Sequence, residues 1–133
     1  MSAQRALHPA GWKTPKGYAN GIVAEGKGIY LGGQIGWNRD QEFESTDFVA
    51  QVEQTLRNIV EILKEAGARP EHLVRLSWFV LDKREYLDRL QEIGAAYRKV
   101  IGKHYPAMSL VQVGALVEDE ARVEIEATAV LPS

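Results

Sequence analysis

The sequence lacks cysteine entirely and contains only two methionines among its 133 residues. Without cysteine the protein has no disulfide bonds, no thiolate metal ligands and no cysteine nucleophile. Long apolar runs are also missing, and the first residues do not form the apolar core of a signal peptide. We therefore expect a cytoplasmic protein that has no membrane partner.

A surplus of positive charge is also absent. Lysine and arginine total 16 against 18 acidic residues, which gives a formal net charge of −2. No basic run and no alternation of basic with aromatic residues occurs, so nucleic acid is not an expected partner. The three histidines, His8, His72 and His104, lack the spacing of metal ligands, and we predict no metal site.

The composition that remains is that of an ordinary globular protein, with 45% hydrophobic and 26% charged residues. A chain of this length can bury roughly two-thirds of the surface of its unfolded state. The sequence shows no internal repeat, low-complexity tract or linker. We expect a single domain that spans residues 1–133.

Hydrophobic periodicity and turn residues predict the element order β-β-α-β-α-β-β. Residues 1–17 are punctuated by proline and glycine, which indicates an arm without regular structure. Gly26 and Gly28 form a Gly-x-Gly that leads directly into a strand, so we interpret it as a hairpin turn rather than a nucleotide-binding loop. Strands are predicted at 19–25, 28–36, 73–81, 109–117 and 121–131, and helices at 46–66 and 83–101.

The first predicted helix has one continuous apolar face. Asp47 offers an N-cap oxygen at its start, and Gly67 followed by Pro70 marks its end. Asp82 and Glu85 resemble a capping box that opens the second helix. The apolar face of the first helix contains Phe48, Val52, Leu56, Ile59 and Leu63.

This order predicts an α+β sandwich in which two amphipathic helices cover one face of a mixed sheet. The strand at 73–81 has apolar residues on both faces, and the last two strands carry further valines and isoleucine. A sheet of this kind cannot leave its second face in water, and the chain has no further element to cover it. The physical pattern therefore predicts self-association. The apolar residues of the last two strands are Val111, Val113, Val123 and Ile125.

Three segments carry a resemblance to a known family. They are Gly33-Gln34-Ile35, Tyr105-Pro106-Ala107 and the closing Val123-Glu124-Ile125-Glu126-Ala127 strand with its continuation to Val130. In this order the chain resembles the Rid family, the YjgF-type reactive-intermediate deaminases that are also called translation inhibitors or endoribonucleases. The resemblance extends from Gly17 to Val130, and the closing strand is its most specific part.

The resemblance implies a chorismate-mutase-like fold of the YjgF type that assembles as a trimeric barrel, with the sheets inside and the helices outside. It also implies a small-molecule site in each cleft between neighbouring subunits. Family members hydrolyse 2-imino acids and their enamine tautomers to 2-keto acids and ammonia, without a metal or cofactor. In this sequence Glu124 matches the glutamate that activates water, Tyr18 matches the pocket tyrosine, and Gly32 and Gly33 match the strand that lines the cleft.

Met108 is the main departure from the family pattern. It follows Ala107 at the position where the family has an arginine that binds the substrate carboxylate. Methionine has no donor, and loss of two charge-assisted hydrogen bonds would weaken carboxylate binding by ~3–6 kcal/mol. Gly32 stands where many relatives have serine, and Gly94 stands where the second helix usually has asparagine. Arg39, Arg75 and Arg122 are candidates for a displaced carboxylate clamp.

Structural interpretations stay open beside these roles. Glu124 and Glu126 alternate along a strand and would also suit a solvent-facing surface, and Tyr18 would suit a turn that packs on the sheet. Met108 would fill a core equally well. Two functions follow: an imine or enamine hydrolase of altered specificity that retains Glu124 and Tyr18, or a non-catalytic trimeric protein that binds a small molecule in the same cleft.

Overall fold

Six strands, three α-helices and one 3₁₀ turn make up the part of the chain that a computed structural model describes, residues 4–133. The 3₁₀ turn, Pro70–His72, leads directly into a strand. The strands are β1 (Gln4–Leu7), β2 (Gly21–Ala24), β3 (Lys27–Ile35), β4 (Leu73–Val80), β5 (Ala107–Gln112) and β6 (Val123–Leu131). The helices are α1 (Phe48–Glu65), α2 (Lys83–Leu87) and α3 (Leu90–Val100).

Four of the strands form a mixed sheet in the order β3-β6-β4-β5. Strand β6 is antiparallel to both of its neighbours, whereas β4 and β5 are parallel. Strands β1 and β2 form a separate antiparallel pair. The predicted α+β class with a mixed sheet is therefore confirmed.

Both long helices cover the same face of the four-stranded sheet. The apolar stripe of α1 is at most 1% exposed and packs in one cluster with α3 and the inward residues of the sheet. Asp47 caps α1 as predicted, because its side chain accepts a hydrogen bond from the Ala50 N–H at 3.0 Å. The Arg89 guanidinium, which donates to the same carboxylate, lowers the pKa of Asp47. The helix-facing residues of the sheet include Leu76, Trp78, Val80, Val123, Ile125 and Ala127.

The N-terminal prediction was wrong. Residues 4–7 of the predicted arm form strand β1, and residues 1–3 lie outside the described residues. A four-residue strand is too short to show alternation, and its stability comes from pairing with β2. The predicted hairpin at Gly26 is also wrong, because β2 and β3 belong to different sheets. Gly26 still makes a turn, with a φ of 139° that favours glycine.

Two other boundaries differ from the prediction. The helix predicted at 83–101 is interrupted at Arg89, whose backbone leaves the helical region with φ −131°. The Arg89 guanidinium bonds both Asp47 at the start of α1 and Glu92 in α3, which is a tertiary contact that local sequence does not reveal. Strand β5 ends at Gln112 rather than 117, because β4, its partner, ends at Val80.

Two amides on α1, the buried Gln51 and the half-buried Asn58, tie the helix to the end of β3 and the start of β6. The Gln51 amide donates to Ser45 O and Glu120 O at 3.0 and 2.9 Å, and its oxygen accepts from Arg122 N at 2.8 Å. The Asn58 amide donates to the carbonyls of residues 35 and 37. These bonds hold the end of β3 and the start of β6 against one helix.

No helix in the described range 4–133 is long and apolar enough to cross a membrane.

We predict that Gln51→Met lowers the free energy of unfolding by about 3 kcal/mol, because it removes three hydrogen bonds, to Ser45 O, Glu120 O and Arg122 N. Gln54→Met is the matched control, since the Gln54 amide makes one hydrogen bond, to Asn58 within the same helix. Its cost should be about 1 kcal/mol or less. Urea unfolding at one protein concentration measures both, and equal midpoints for the two variants would contradict the role of Gln51.

Candidate functional site

A cavity of about 590 Å³ opens between α3, the start of β5 and the segment at residues 16–18. Its volume lies within the range of small-molecule sites, and its walls are mainly aromatic and aliphatic. Among the predicted site residues, Tyr18 and Met108 line it. The aromatic side chains around the cavity are Tyr18, Trp78, Tyr86, Tyr97 and Tyr105.

Backbone pairing brings Tyr18 and Met108 together. The Ala19 N–H donates to Pro106 O at 3.0 Å, and Ala19 forms a parallel bridge with Ala107. The chain at Tyr18 therefore runs beside the start of β5. Met108 pairs with Leu76 of β4, so its side chain points to the helix side, where it contacts the core and also lines the cavity.

The aromatic wall is held in place by its own contacts. Tyr97 stacks on Tyr105 with ring centroids 5.4 Å apart, and its hydroxyl donates to His104 O at 2.6 Å. Burial, with a smaller contribution from Tyr105, raises the pKa of Tyr97, so this tyrosine remains a neutral donor. Burial likewise raises the pKa of Tyr86. The Tyr86 ring packs edge-on against the Trp78 ring, with the two ring centroids 6.3 Å apart.

Glu124 lies on the other face of the sheet. Its neighbours Val123 and Ile125 are fully buried beneath the helices, and alternation along β6 turns Glu124 away from them. It pairs with Phe79 of β4, which pairs in turn with Val111 of β5. Two inter-strand spacings and three residues along β5 separate it from Met108, roughly 14 Å at ordinary strand geometry.

A β-bulge in β3 makes the room that Glu124 occupies. The register with β6 shifts between Leu31 and Gln34, so the intervening Gly32 and Gly33 form the bulge. A Cβ on Gly33 would overlap the Glu124 carboxylate, whereas a Cβ on Gly32 would meet nothing within 4 Å. The structure therefore brings Gly32, Gly33 and Glu124 together, on the face opposite to Tyr18 and Met108.

The Glu124 carboxylate is half-buried, and no hydrogen bond or ion pair within residues 4–133 engages it. Glu126, the next glutamate on the same face, is exposed. Ala107 lies on this face as well, because it pairs with Arg75 and precedes the inward Met108. An unpaired, partly desolvated carboxylate is suited to accept a proton from a water molecule.

The three arginines considered as a displaced clamp lie outside the cavity. The Arg122 guanidinium donates a hydrogen bond to the Glu85 carboxylate at 2.8 Å, so its charge is already paired within the fold. Arg75 is exposed on the Glu124 face, with Nη2 3.5 Å from Ser109 Oγ, and Arg39 is exposed in the loop after β3. The sequence alone could not show which of these three arginines is free to bind a carboxylate.

Sequence reasoning missed two cations that do line the cavity, Lys16 and Arg98. The signal for Arg98 was available, because it lies four residues after Gly94 and therefore on the same face of α3. Lys16 precedes Tyr18 in a segment without regular structure, so no periodicity identified it. Within the described range, no group of three or more histidine or acidic side chains is arranged to hold a metal ion.

The sequence profile of a family described as Endoribonuclease L-PSP matches residues 11–131. The chain is 32% identical to the 2-iminobutanoate/2-iminopropanoate deaminase of Escherichia coli (strain K12) over 116 residues, which cover 85% of this chain and 86% of that protein. It is 28% identical to the human protein of the same name over 114 residues, 85% of this chain and 79% of that protein.

A solved structure resembles the fold closely. YyfB from Yersinia pestis, described as a protein of unknown function of the conserved Rid protein family, superposes with a TM-score of 0.82. It is 33% identical in sequence, and the match covers 97% of this chain and 99% of YyfB. The similarity therefore includes nearly the whole of both chains.

We predict that Gly33→Ala moves the Glu124 carboxylate, because the new methyl group would occupy its place. Gly32→Ala is the matched control, since it adds the same methyl group to open space one residue earlier. Crystal structures of both variants, or the carboxyl carbon chemical shift of Glu124, measure the displacement. A Glu124 side chain that is unmoved in Gly33→Ala would show that the bulge does not position it.

Proposed function

The chain belongs to the Rid/YjgF family, whose profile is described as Endoribonuclease L-PSP, and on that premise we propose that it hydrolyses reactive imine or enamine intermediates. The products would be a keto compound and ammonia. The observation that carries the proposal is the unpaired, half-buried Glu124 carboxylate beside a bulge that leaves it room. Relatives named as 2-imino acid deaminases support the same chemistry.

In the proposed reaction Glu124 accepts a proton from water while the water oxygen forms a bond to the imine carbon. The C=N electron pair moves to nitrogen, which takes up a proton, and a tetrahedral carbinolamine results. The C–N bond then breaks, ammonia leaves and a C=O bond forms. An enamine enters the same route after it is protonated at carbon. Each step is redox-neutral, so the reaction needs no electron-carrying cofactor.

The opposite placement of the two residue groups supports a site shared between copies of the chain. In one chain the sheet separates Glu124 from the cavity of Tyr18 and Met108. A site that uses both groups would therefore take its Glu124 from a neighbouring copy of the chain. Tyr30 and Val111 on the open face are 82% and 47% exposed, which supports burial of this face in a homotrimer.

Met108 is the reason to expect altered specificity. Its thioether offers no donor to a substrate carboxylate beside β5, and it makes this part of the cavity apolar. The substrate would therefore hold its carboxylate elsewhere or lack one. The same observation favours the second candidate function, a trimeric protein of this family that binds a small molecule without turnover.

We predict that the protein accelerates keto-acid release from 2-aminoacrylate or 2-iminobutyrate generated by a dehydratase in the presence of a trapping amine. Glu124→Gln should lower this acceleration by about a hundredfold or more, as expected for loss of a general base. Glu126→Gln is the matched control, because Glu126 lies two residues along the same strand face and is exposed.

Met108→Arg separates the two candidate functions. Activity that appears only in this variant would show that the remaining groups are competent and that Met108 redirected the natural protein. Equal rates for wild type and Glu124→Gln would rule out Glu124 as the base. Absence of release by wild type and Met108→Arg alike would favour binding without turnover.

We predict a mass in solution three times the 14.8 kDa of one chain, measured by light scattering. Val111→Glu should reduce this mass, because it places a charge on the open sheet face that the trimer would bury. Val117→Glu, at a 93% exposed loop position, is the control and should leave the mass unchanged. A wild-type mass of one chain would overturn the shared site.

A further inference from the structure

The cavity beside Met108 carries positive charge without a compensating acid. Lys16 and Arg98 both line it, whereas none of the lining residues is aspartate or glutamate. None of the ion pairs found in residues 4–133 includes either cation. The chain as a whole has a net charge of −2, whereas the side chains that line the cavity carry a net positive charge. Unneutralised cations in an aromatic cavity suit an anionic organic ligand.

Where it lines the cavity, the Arg98 guanidinium lies against Gly94, one helical turn earlier in α3. A Cβ built on Gly94 would lie 3.1 Å from Arg98 Nη1 and 3.8 Å from both Cζ and Nη2. The guanidinium therefore lies back over Gly94, in the direction in which helical side chains lean. A larger residue at 94 would occupy that space. The glycine and the arginine act as a pair, and together they bring a cation to the cavity wall.

The chemistry of the pair supplies what Met108 lacks. A guanidinium offers a planar fork of N–H donors that matches a carboxylate, and it stays charged at every physiological pH. Arg98 is exposed at the cavity, so its guanidinium is accessible to a ligand that enters from solvent. The aromatic side chains of Tyr18 and Tyr97 line the same cavity and can contact the carbon skeleton of the ligand.

We propose that Arg98, held over Gly94, binds the carboxylate of this protein's ligand, a small organic acid. The inference rests on the proposed function in taking this cavity as the substrate side of the site. The carboxylate would lie against α3 rather than against β5, so the substrate enters in a different orientation from one anchored at residue 108. Arg98 is in this view the residue that determines specificity for an acid.

The test is a titration with 2-oxobutanoate, an acid of the product class, and with its methyl ester as the uncharged counterpart. Binding is followed by the amide signals of Gly17 and Gly94 and the indole signal of Trp78 in ¹H–¹⁵N spectra. Wild type should bind the acid in preference to the ester. Arg98→Met should weaken binding of the acid about tenfold or more and leave binding of the ester unchanged.

Three further variants distinguish a specific role from a general effect. Lys99→Met removes the same charge one residue later, where the side chain pairs with Glu53 outside the cavity, and should leave binding unchanged. Arg98→Lys should restore part of the affinity. Gly94→Ala should weaken binding of the acid less than Arg98→Met does, because its Cβ would lie 3.1 Å from Nη1 and would shift the flexible guanidinium only slightly.

The outcomes for this inference and for the proposed function are distinct. Wild-type binding that does not distinguish acid from ester, or acid binding that survives Arg98→Met, overturns the role of Arg98 and leaves the Glu124 reaction standing. Acid binding that depends on Arg98 in a protein that releases no keto acid supports the inference and overturns the proposed hydrolysis.

Discussion

Two amides of α1, the buried Gln51 and the half-buried Asn58, make the contacts on which the candidate site depends. Gln51 holds the turn that precedes β6, and Asn58 holds the end of β3, so one helix sets how these two strands meet. The bulge lies near this end of the β3–β6 pairing, and there Glu124 takes the space that a side chain at Gly33 would fill. A buried amide has few ways to satisfy its donors and acceptor, which makes this arrangement specific as well as stable.

The alternation of β-strands divides the site residues between two environments. Odd-numbered residues of β6 enter the core under the helices, and Glu124 between them faces the open side. On β5 the even-numbered Met108 faces the helices, whereas Ala107 faces the open side. Within one chain Glu124 and Met108 therefore lie on opposite faces of the sheet, and this constraint is the physical argument for the proposed second copy.

Long periodic elements could be predicted from the sequence because the apolar pattern and the capping residues that stabilise them lie within the element itself. The α1 stripe from Phe48 to Leu63 and its Asp47 cap were identified correctly, as was the strand from Leu73. The errors fell where a distant partner decides the outcome: β1 exists through pairing with β2, and α3 is separated from α2 where Arg89 reaches Asp47. Glu124, Gly33 and Tyr18 were found through resemblance, but which of them share a surface was not visible in the sequence.

By itself the sequence determined the α+β class, the absence of thiol chemistry and the presence of methionine at residue 108, because these depend on residue identity and on local periodicity. Only the tertiary structure decided that Arg98 lies in the cavity beside Met108 and that Arg122 is occupied by Glu85. Charges separated along the chain acquire partners only when packing brings elements together. Met108 leaves open where a carboxylate would bind. The proposed binding residue, Arg98, lies on α3, outside the segments that carry the family resemblance.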